Sequence, residues 1–105
     1  MSDIIHFSTD GWYARRAGAF TDENVARIAD AAGRCWQEEA PGSRVYVGYD
    51  AREGAASAAE LAAGVLSIRG LRVLLASRPL PTAAVARAMA KDAGATGCLV
   101  VTGSS

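Results

Sequence analysis

Short continuous runs of hydrophobic residues alternate along this chain with longer stretches in which hydrophobic residues recur at helical spacing. A strand that is buried on both faces of a sheet needs hydrophobic side chains at successive positions, so each short run predicts a β-strand. Glycine, proline and polar residues separate the runs, as is typical where a strand gives way to a loop. The predicted strands cover residues 4–7, 44–49, 72–76 and 96–101.

The longer stretches predict three amphipathic helices. The first follows Thr21, whose hydroxyl suits an N-cap with acidic residues in the next turn, and it ends before Pro41. The second covers about residues 56–69 with Gly70 after its end, and Thr82 is predicted to cap the third. The predicted inward faces comprise Val25, Ile28, Ala29, Ala32, Cys35 and Trp36 in the first helix, and Ala58, Leu61, Ala62, Val65 and Ile68 in the second.

This alternation of strands and helices predicts an α/β fold. We expect a three-layer α/β/α sandwich with a mainly parallel sheet of about four strands. Residues 9–20, which contain two glycines and adjacent arginines, are predicted to form a loop between the first strand and the first helix. A chain of 105 residues has the size of one domain.

Composition narrows the function classes. Eleven Lys and Arg balance eleven Asp and Glu, so the net charge is zero and gives no electrostatic basis for binding nucleic acid or an anionic membrane. The sequence shows no signal peptide, membrane-spanning run or lipidation motif, which predicts a cytoplasmic protein. Cys35 and Cys98 are far apart and lack metal-ligand spacing, so both are predicted to be small buried hydrophobic residues.

Polar residues follow each predicted strand. Because the carboxyl ends of parallel strands share one edge of a sheet, we expect these loops to meet there. Their hydroxyls, carboxylates and arginines are typical of a site that binds phosphate or transfers a phosphoryl group. Ser104 is the candidate nucleophile. The expected contributors are segments 8–11, 50–52, 78–79 and 102–105.

Simpler roles are open for the same residues. Asp50 also suits a cap for the following helix, Arg52 a solvated surface charge, and Ser104 an ordinary loop position. His6 fits a structural position in its strand as well as a general base. The sequence has neither a P-loop nor a dinucleotide-binding glycine motif, so nucleotide binding of those kinds is not predicted.

Four segments resemble the motifs of one enzyme family. Residues 7–12 (FSTDGW) are similar to an FGTDGxRG stretch, and residues 47–52 (VGYDAR) to VGYDTR. Residues 78–83 (RPLPTA) are similar to RPVPTPA, and residues 102–105 (TGSS) to the start of a phosphoserine loop, TASHNP or TGSHNP. These are motifs of the α-D-phosphohexomutases, the phosphoglucomutase/phosphomannomutase family. Their order and spacing identify residues 1–105 as most of the family's first domain.

The resemblance implies a chemistry for these residues. Ser104 would carry a phosphoryl group and pass it to a hexose phosphate, and the resulting hexose 1,6-bisphosphate would return a phosphoryl group to the serine. The phosphate thereby moves between positions 1 and 6 of the sugar. Mg²⁺ would bind the phosphate on Ser104 together with an aspartate-rich loop of the second domain. The predicted phosphate or substrate contacts are Arg52, Arg15, Arg16, Thr102 and Ser105, with Asp10 and Asp50 in support.

Three departures from the family pattern keep a second hypothesis open. Tyr13 replaces an arginine, Ser105 a histidine and Ala83 a proline. A diverged, non-catalytic module that binds a phosphosugar or a protein partner would fit these changes. A flavodoxin-like phosphate-binding domain would explain the alternating elements but not the four motifs. The family's metal and sugar loops have no counterpart here, so we expect the isolated chain to be inactive and to need the remaining domains of the same protein.

Overall fold

The computed structural model describes the backbone of residues 3–8 and 12–18, and residues 21–102 in full. Helices and strands alternate through most of this range, as the hydrophobic pattern predicts. The elements are β1 (Asp3–Ser8), β2 (Trp12–Gly18), α1 (Asp22–Glu39), β3 (Arg44–Tyr49), α2 (Ala55–Ile68), β4 (Arg72–Leu75), α3 (Thr82–Ala90) and β5 (Ala95–Thr102).

The strands form one sheet in the order β2-β1-β5-β3-β4. Strands β5, β3 and β4 are parallel to one another, whereas β1 runs antiparallel to both β5 and β2. The predicted α/β sandwich with a mainly parallel sheet is therefore confirmed. The described part of the sheet has five strands, one more than the hydrophobic runs indicate.

The additional strand, β2, occupies residues that the sequence predicts to be a loop. Its residues, WYARRAG, begin with three hydrophobic residues, but two arginines follow, so the hydrophobic run is too short to indicate a strand. In the described sheet β2 lies at an edge and pairs with β1 alone. An edge strand needs partners on one side only and tolerates charged residues, so backbone hydrogen bonding forms a strand that hydrophobicity does not reveal.

Helices cover both faces of the sheet. Val45, Val47, Leu99 and Val101 belong to one buried cluster with residues of α1 and α2. Residues at alternate positions on β5 face the other way, where Cys98 and Val100 pack with Val85 of α3. This alternation is the two-residue period of a strand buried on both sides.

Helix α1 follows the predicted pattern with one exception. The Asn24 N–H donates to the hydroxyl of Thr21 at 3.2 Å, which confirms the N-cap. Gly33 lies at the crossing with α2, where a Cβ would approach Leu66 Cδ2 to 3.1 Å. Cys35, predicted to be buried, is exposed, because the buried stripe is centred on other positions and Cys35 lies to one side of it. The buried residues are Val25, Ala29, Ala32, Gly33 and Trp36.

Helix α2 buries a face made almost entirely of alanine. Gly70, at a φ of 91°, follows the helix and confirms the predicted terminator. Ile68, predicted to face inward, is 87% exposed, because Leu66 occupies the core position two residues earlier, on nearly the opposite side of the helix. The buried residues are Ala55, Ala58, Ala59, Ala62, Ala63 and Leu66.

The N-cap of helix α3 lies one residue earlier than the sequence predicts. Pro81 is the N-cap, and its carbonyl accepts from the N–H groups of Ala84 and Val85 at 3.0 and 3.3 Å. Thr82 is therefore the first helical residue, and the prediction that it caps the helix is wrong. None of the described helices is both long and apolar enough to cross a membrane.

The approach of α3 to the sheet depends on Gly48. A Cβ at this position would lie 2.5 Å from Val85 Cγ2, closer than real Cβ atoms come to other carbons. The absence of a side chain on Gly48 therefore lets α3 pack directly on β3. Packing at this point also sets the position of the loop that leads into α3.

Candidate functional site

The candidate site lies at the carboxyl edge of the three parallel strands, and Asp50 is its best-connected residue. The Asp50 N–H donates to the carbonyl of Val101 at 3.1 Å, which extends the β3–β5 pairing by one residue. One oxygen of the Asp50 carboxylate, Oδ2, accepts from the Thr102 hydroxyl at 2.7 Å. The other, Oδ1, accepts from the Arg52 N–H at 3.0 Å. Asp50 thus joins the loop after β3 to the end of β5.

Thr102 is the last residue of β5 and is only 2% exposed. Among residues 21–102 it is the one polar residue that is fully buried. A buried hydroxyl needs a hydrogen-bond partner, and Asp50 provides one. Thr102, predicted as a phosphate contact, therefore uses its hydroxyl proton within the protein.

The loop between β4 and α3 reaches the same edge. Its position is fixed by the Leu80 N–H, which donates to the carbonyl of Tyr49 at 2.9 Å. Between this loop and the β3–α2 loop lies a shallow cleft of about 300 Å³. Its walls are Asp50, Ala51, Pro79, Leu80 and Pro81. The loop after β3 therefore meets the end of β5, and the loop after β4 meets the end of β3.

The predicted arginines lie on two different elements, one at this edge and one level with it. Arg52 is half-buried in the β3–α2 loop, and its backbone is held by Asp50. Arg15 and Arg16 lie on β2 opposite Ile5 and Ile4, and Ile4 in turn lies opposite Thr102. The backbone of both arginines is thus level with the end of β5, two strands or roughly 10 Å away.

Ser8, the last residue of β1, does not lie at this edge. Because β1 is antiparallel to β5, its last residue Ser8 lies opposite Cys98, not opposite Thr102. Trp12, the first residue of β2, pairs with Ser8 at the same level. Thr102 is four positions after Cys98, about 13 Å along β5. The prediction that Ser8 lies at this edge is wrong, because a parallel orientation was expected for β1. Residues 9–11 of the same predicted segment lie outside the described residues.

Several predicted site residues lie outside the described part of the chain. They are Asp10, Ser104 and Ser105, so their predicted roles stay predictions. Within the described residues no three His, Cys, Asp or Glu side chains are grouped closely enough to hold a metal ion. The predicted Mg²⁺ contact, which depends on a phosphate on Ser104, also stays a prediction.

A second polar network lies at the opposite, amino edge of the parallel strands, and the sequence analysis missed it. The Arg44 guanidinium donates to both oxygens of the Asp92 carboxylate, at 2.9 Å through Nε and 2.5 Å through Nη2. The Tyr46 hydroxyl and the Gly94 N–H also donate to this carboxylate, each at 2.9 Å. Asp92 therefore receives four hydrogen bonds, one of them from a residue of its own turn.

These contacts shift the pKa values of the three side chains. The hydrogen bonds from Arg44, together with those from Gly94 and Tyr46, hold the pKa of Asp92 well below its usual range. The same carboxylate raises the pKa of Arg44 and of Tyr46, chiefly through the hydrogen bond that each donates to it. Asp92 therefore stays ionised in mildly acidic solution.

The sequence contains one indirect signal for this network. Arg44 and Asp92 are 48 positions apart, so no local motif joins them. However, Arg44 begins β3 and Asp92 lies just before β5, and adjacent parallel strands place their starts side by side. Once the order of the strands is known, Arg44 and Asp92 are expected to lie close together.

Comparisons with known proteins agree with this architecture. Residues 5–105 match the profile of the family described as phosphoglucomutase/phosphomannomutase, alpha/beta/alpha domain I. A phosphoglucosamine mutase of Methylorubrum populi is 40% identical over 93 residues, which cover 85% of this chain and 20% of the relative. Those of Methylobacterium sp. (strain 4-46) and Rhodopseudomonas palustris (strain TIE-1) are 39% and 38% identical over the same shares. The chain thus spans about a fifth of the length of these relatives. No solved structure matches it.

Proposed function

Because this chain belongs to the phosphoglucomutase/phosphomannomutase family and matches its first domain, we propose that it supplies the phosphoryl-carrying domain of a hexose-phosphate mutase. The observation that supports this most directly is the arrangement at the carboxyl edge. There the loop after β3 contacts both the end of β5 and the loop after β4, and the sequence Gly103-Ser104-Ser105 follows β5 at once.

The proposed reaction uses the hydroxyl oxygen of Ser104 as the carrier. In the first step the bond between phosphorus and the Ser104 oxygen breaks, and a bond forms between phosphorus and a hydroxyl oxygen of the hexose phosphate. The sugar hydroxyl loses its proton in the same step and the Ser104 oxygen gains one, so Ser104 ends the step as a free hydroxyl. In the second step the bisphosphate returns its other phosphoryl group to Ser104. The net change moves a phosphate between positions 1 and 6 without consuming a cosubstrate.

Charge stabilisation is the main requirement of such a transfer, because the moving group carries negative charge throughout. Arg52 is the described residue best placed to contribute, since Asp50 fixes its backbone beside the end of β5. Arg15 and Arg16 are further candidates, with backbone positions level with Thr102. Mg²⁺ bound to the Ser104 phosphate would neutralise part of the charge. Its other ligands would have to come from outside the described residues.

The names of the relatives suggest the sugar. The three relatives compared above are phosphoglucosamine mutases, so we propose a hexosamine phosphate as substrate. The corresponding bisphosphate would be the intermediate. A cytoplasmic location remains part of the proposal.

Replacing Ser104 tests the proposed reaction. The full-length protein that contains this domain should interconvert glucosamine 6-phosphate and glucosamine 1-phosphate. It should also carry phosphate on Ser104, which mass spectrometry measures. Ser104→Ala should abolish both the turnover and the phosphate, with no change in melting temperature, because a small loop side chain contributes little packing.

Ser67→Ala is the matched control, since Ser67 is an exposed serine in the last turn of α2, at the opposite end of that helix from the Arg52 loop. Turnover that persists in Ser104→Ala would rule out this serine as the carrier. Binding of the bisphosphate by a protein whose Ser104 never carries phosphate would instead fit the non-catalytic hypothesis.

A further inference from the structure

We propose that Thr102 and Asp50 act together as positioning residues for the Ser104 loop, an inference that rests on the proposed function. Thr102 does not contact phosphate in this proposal. Its hydroxyl is directed at Asp50 Oδ2, 2.7 Å away, and the residue is 2% exposed. A group so deeply buried acts on the reaction through the groups that it holds.

The contact fixes the point at which the chain leaves the sheet. Thr102 ends β5, and Ser104 follows two residues later in the sequence. The Asp50 N–H also donates to the carbonyl of Val101, so a backbone bond and a side-chain bond hold neighbouring residues of β5. Loss of the side-chain bond would remove a direct link between the last residue of the strand and the β3–α2 loop.

The same carboxylate also orders the residue proposed to bind phosphate. Asp50 Oδ1 accepts from the Arg52 N–H at 3.0 Å while Oδ2 accepts from Thr102. One side chain therefore sets the distance between the start of the carrier loop and the arginine loop. Reacting groups must be placed to within a fraction of an ångström, so this distance matters for the rate.

A matched residue on the same strand separates positioning from stability. Thr96 lies at the other end of β5, and its hydroxyl donates to the Ser43 hydroxyl at 2.5 Å. Thr96→Val and Thr102→Val make the same chemical change and each removes one side-chain hydrogen bond. Only Thr102 is joined to the candidate site.

The experiment compares Thr102→Val, Thr102→Ser and Thr96→Val in the full-length protein that contains this domain. Turnover of glucosamine phosphate, phosphate on Ser104 and melting temperature are measured for each. In Thr102→Val we expect kcat to fall roughly 10-fold or more, within the range that a misplaced reacting group causes. KM should change little, because substrate binding is not the affected step. Thr102→Ser, which keeps the hydroxyl, should restore kcat, and Thr96→Val should leave it unchanged.

Three results would overturn the inference. They are an unchanged kcat in Thr102→Val, a Thr102→Ser variant as slow as Thr102→Val, and an equal loss in Thr96→Val. In each case phosphate would still appear on Ser104 of the unaltered protein, so the proposed function would stand. Absence of that phosphate from the unaltered protein would contradict the proposed function itself, and this inference with it.

Discussion

The two edges of the parallel sheet use a carboxylate in different ways. At the amino edge Asp92 accepts two hydrogen bonds from Arg44, one from Tyr46 and one from Gly94. At the carboxyl edge Asp50 accepts from a hydroxyl and from a backbone N–H. Both carboxylates connect β3 to the region of β5: Asp92 pairs with a guanidinium of β3, and Asp50 joins the β3–α2 loop to the end of β5.

The difference separates a connection that closes its edge of the sheet from one that lies beside the proposed site. The bidentate pair of Arg44 and Asp92 closes the turn between α3 and β5, where a Cβ on Gly94 would overlap the Arg44 guanidinium. That end of the sheet is filled by its own side chains. At the other end the cleft beside Asp50 stays open, and the residues that resemble the phosphoserine loop follow it in the sequence.

The largest effect is expected from disturbing α3, which runs between the two edges. Gly48→Ala places a Cβ against Val85 and should push α3 away from the sheet, at a cost of about 1–3 kcal/mol in the free energy of unfolding. Urea denaturation measures this change. Gly64→Ala is the control, because a Cβ there has no neighbour within 4 Å.

Replacing that helical glycine should stabilise the protein by about 0.5–1 kcal/mol. If Gly48→Ala unfolds at the same urea concentration as the unaltered chain, α3 does not depend on close contact at this point.

The network at the amino edge should affect how the free energy of unfolding changes in acid. The pKa of Asp92 is lowered in the folded state, so its contribution to stability is complete above its usual pKa of about 4 and is lost as the pH falls below that value. Asp92→Asn should therefore reduce the decline in unfolding free energy between about pH 5 and pH 2, measured by urea denaturation at several pH values.

Glu23→Gln is a control for a general loss of negative charge. Glu23 pairs with Arg27 at 3.0 Å, but both side chains are largely exposed, so little change in the acid range is expected. An acid decline as steep in Asp92→Asn as in the unaltered chain would show that the network at the amino edge is not responsible for it.

The smallest expected effect concerns the reactivity of the two cysteines, one of which lies on β5, the strand that runs between the two edges. Cys98 lies near the middle of β5, and burial raises the pKa of its thiol to about 11, whereas Cys35 is exposed. At pH 8 one thiol per chain should react rapidly with a disulfide reagent such as DTNB, and the second only after unfolding.

Cys35→Ser should remove the rapid phase, and Cys98→Ser should leave it. Rapid reaction of both thiols in the folded chain would mean that β5 is not buried as described.

Because the folded-state pKa of Cys98 is raised, the stability it contributes is present below its usual pKa, near pH 8.5, and is lost as the pH rises towards 11.

Hydrophobic spacing predicted most of the parallel half of the fold. Continuous runs at β3 and β5 and the helical stripe of α1 arise because burial selects apolar residues at fixed intervals. The same rule failed for β2, an edge strand formed by backbone pairing, and for Ile68, where either of two apolar residues could have faced inward. It also failed for Cys35, which has the right chemistry but the wrong angular position.

The candidate site was predicted in part for a related reason. Asp50, Arg52 and Thr102 follow parallel strands, and the shared edge of such strands is a property of the topology that the sequence pattern already implies. The Asp50–Thr102 contact itself depends on β3 and β5 being neighbours. Ser8 was placed at the wrong end because the direction of β1 depends on which strand it pairs with.

By itself the sequence determined the helices, the parallel strands and the family, since these depend on local spacing and on short motifs. The tertiary structure decided which strands are neighbours and in which direction they run. Those choices join Asp50 to Thr102 and Arg44 to Asp92, because hydrogen bonds between residues about 50 positions apart exist only after the sheet has brought them together.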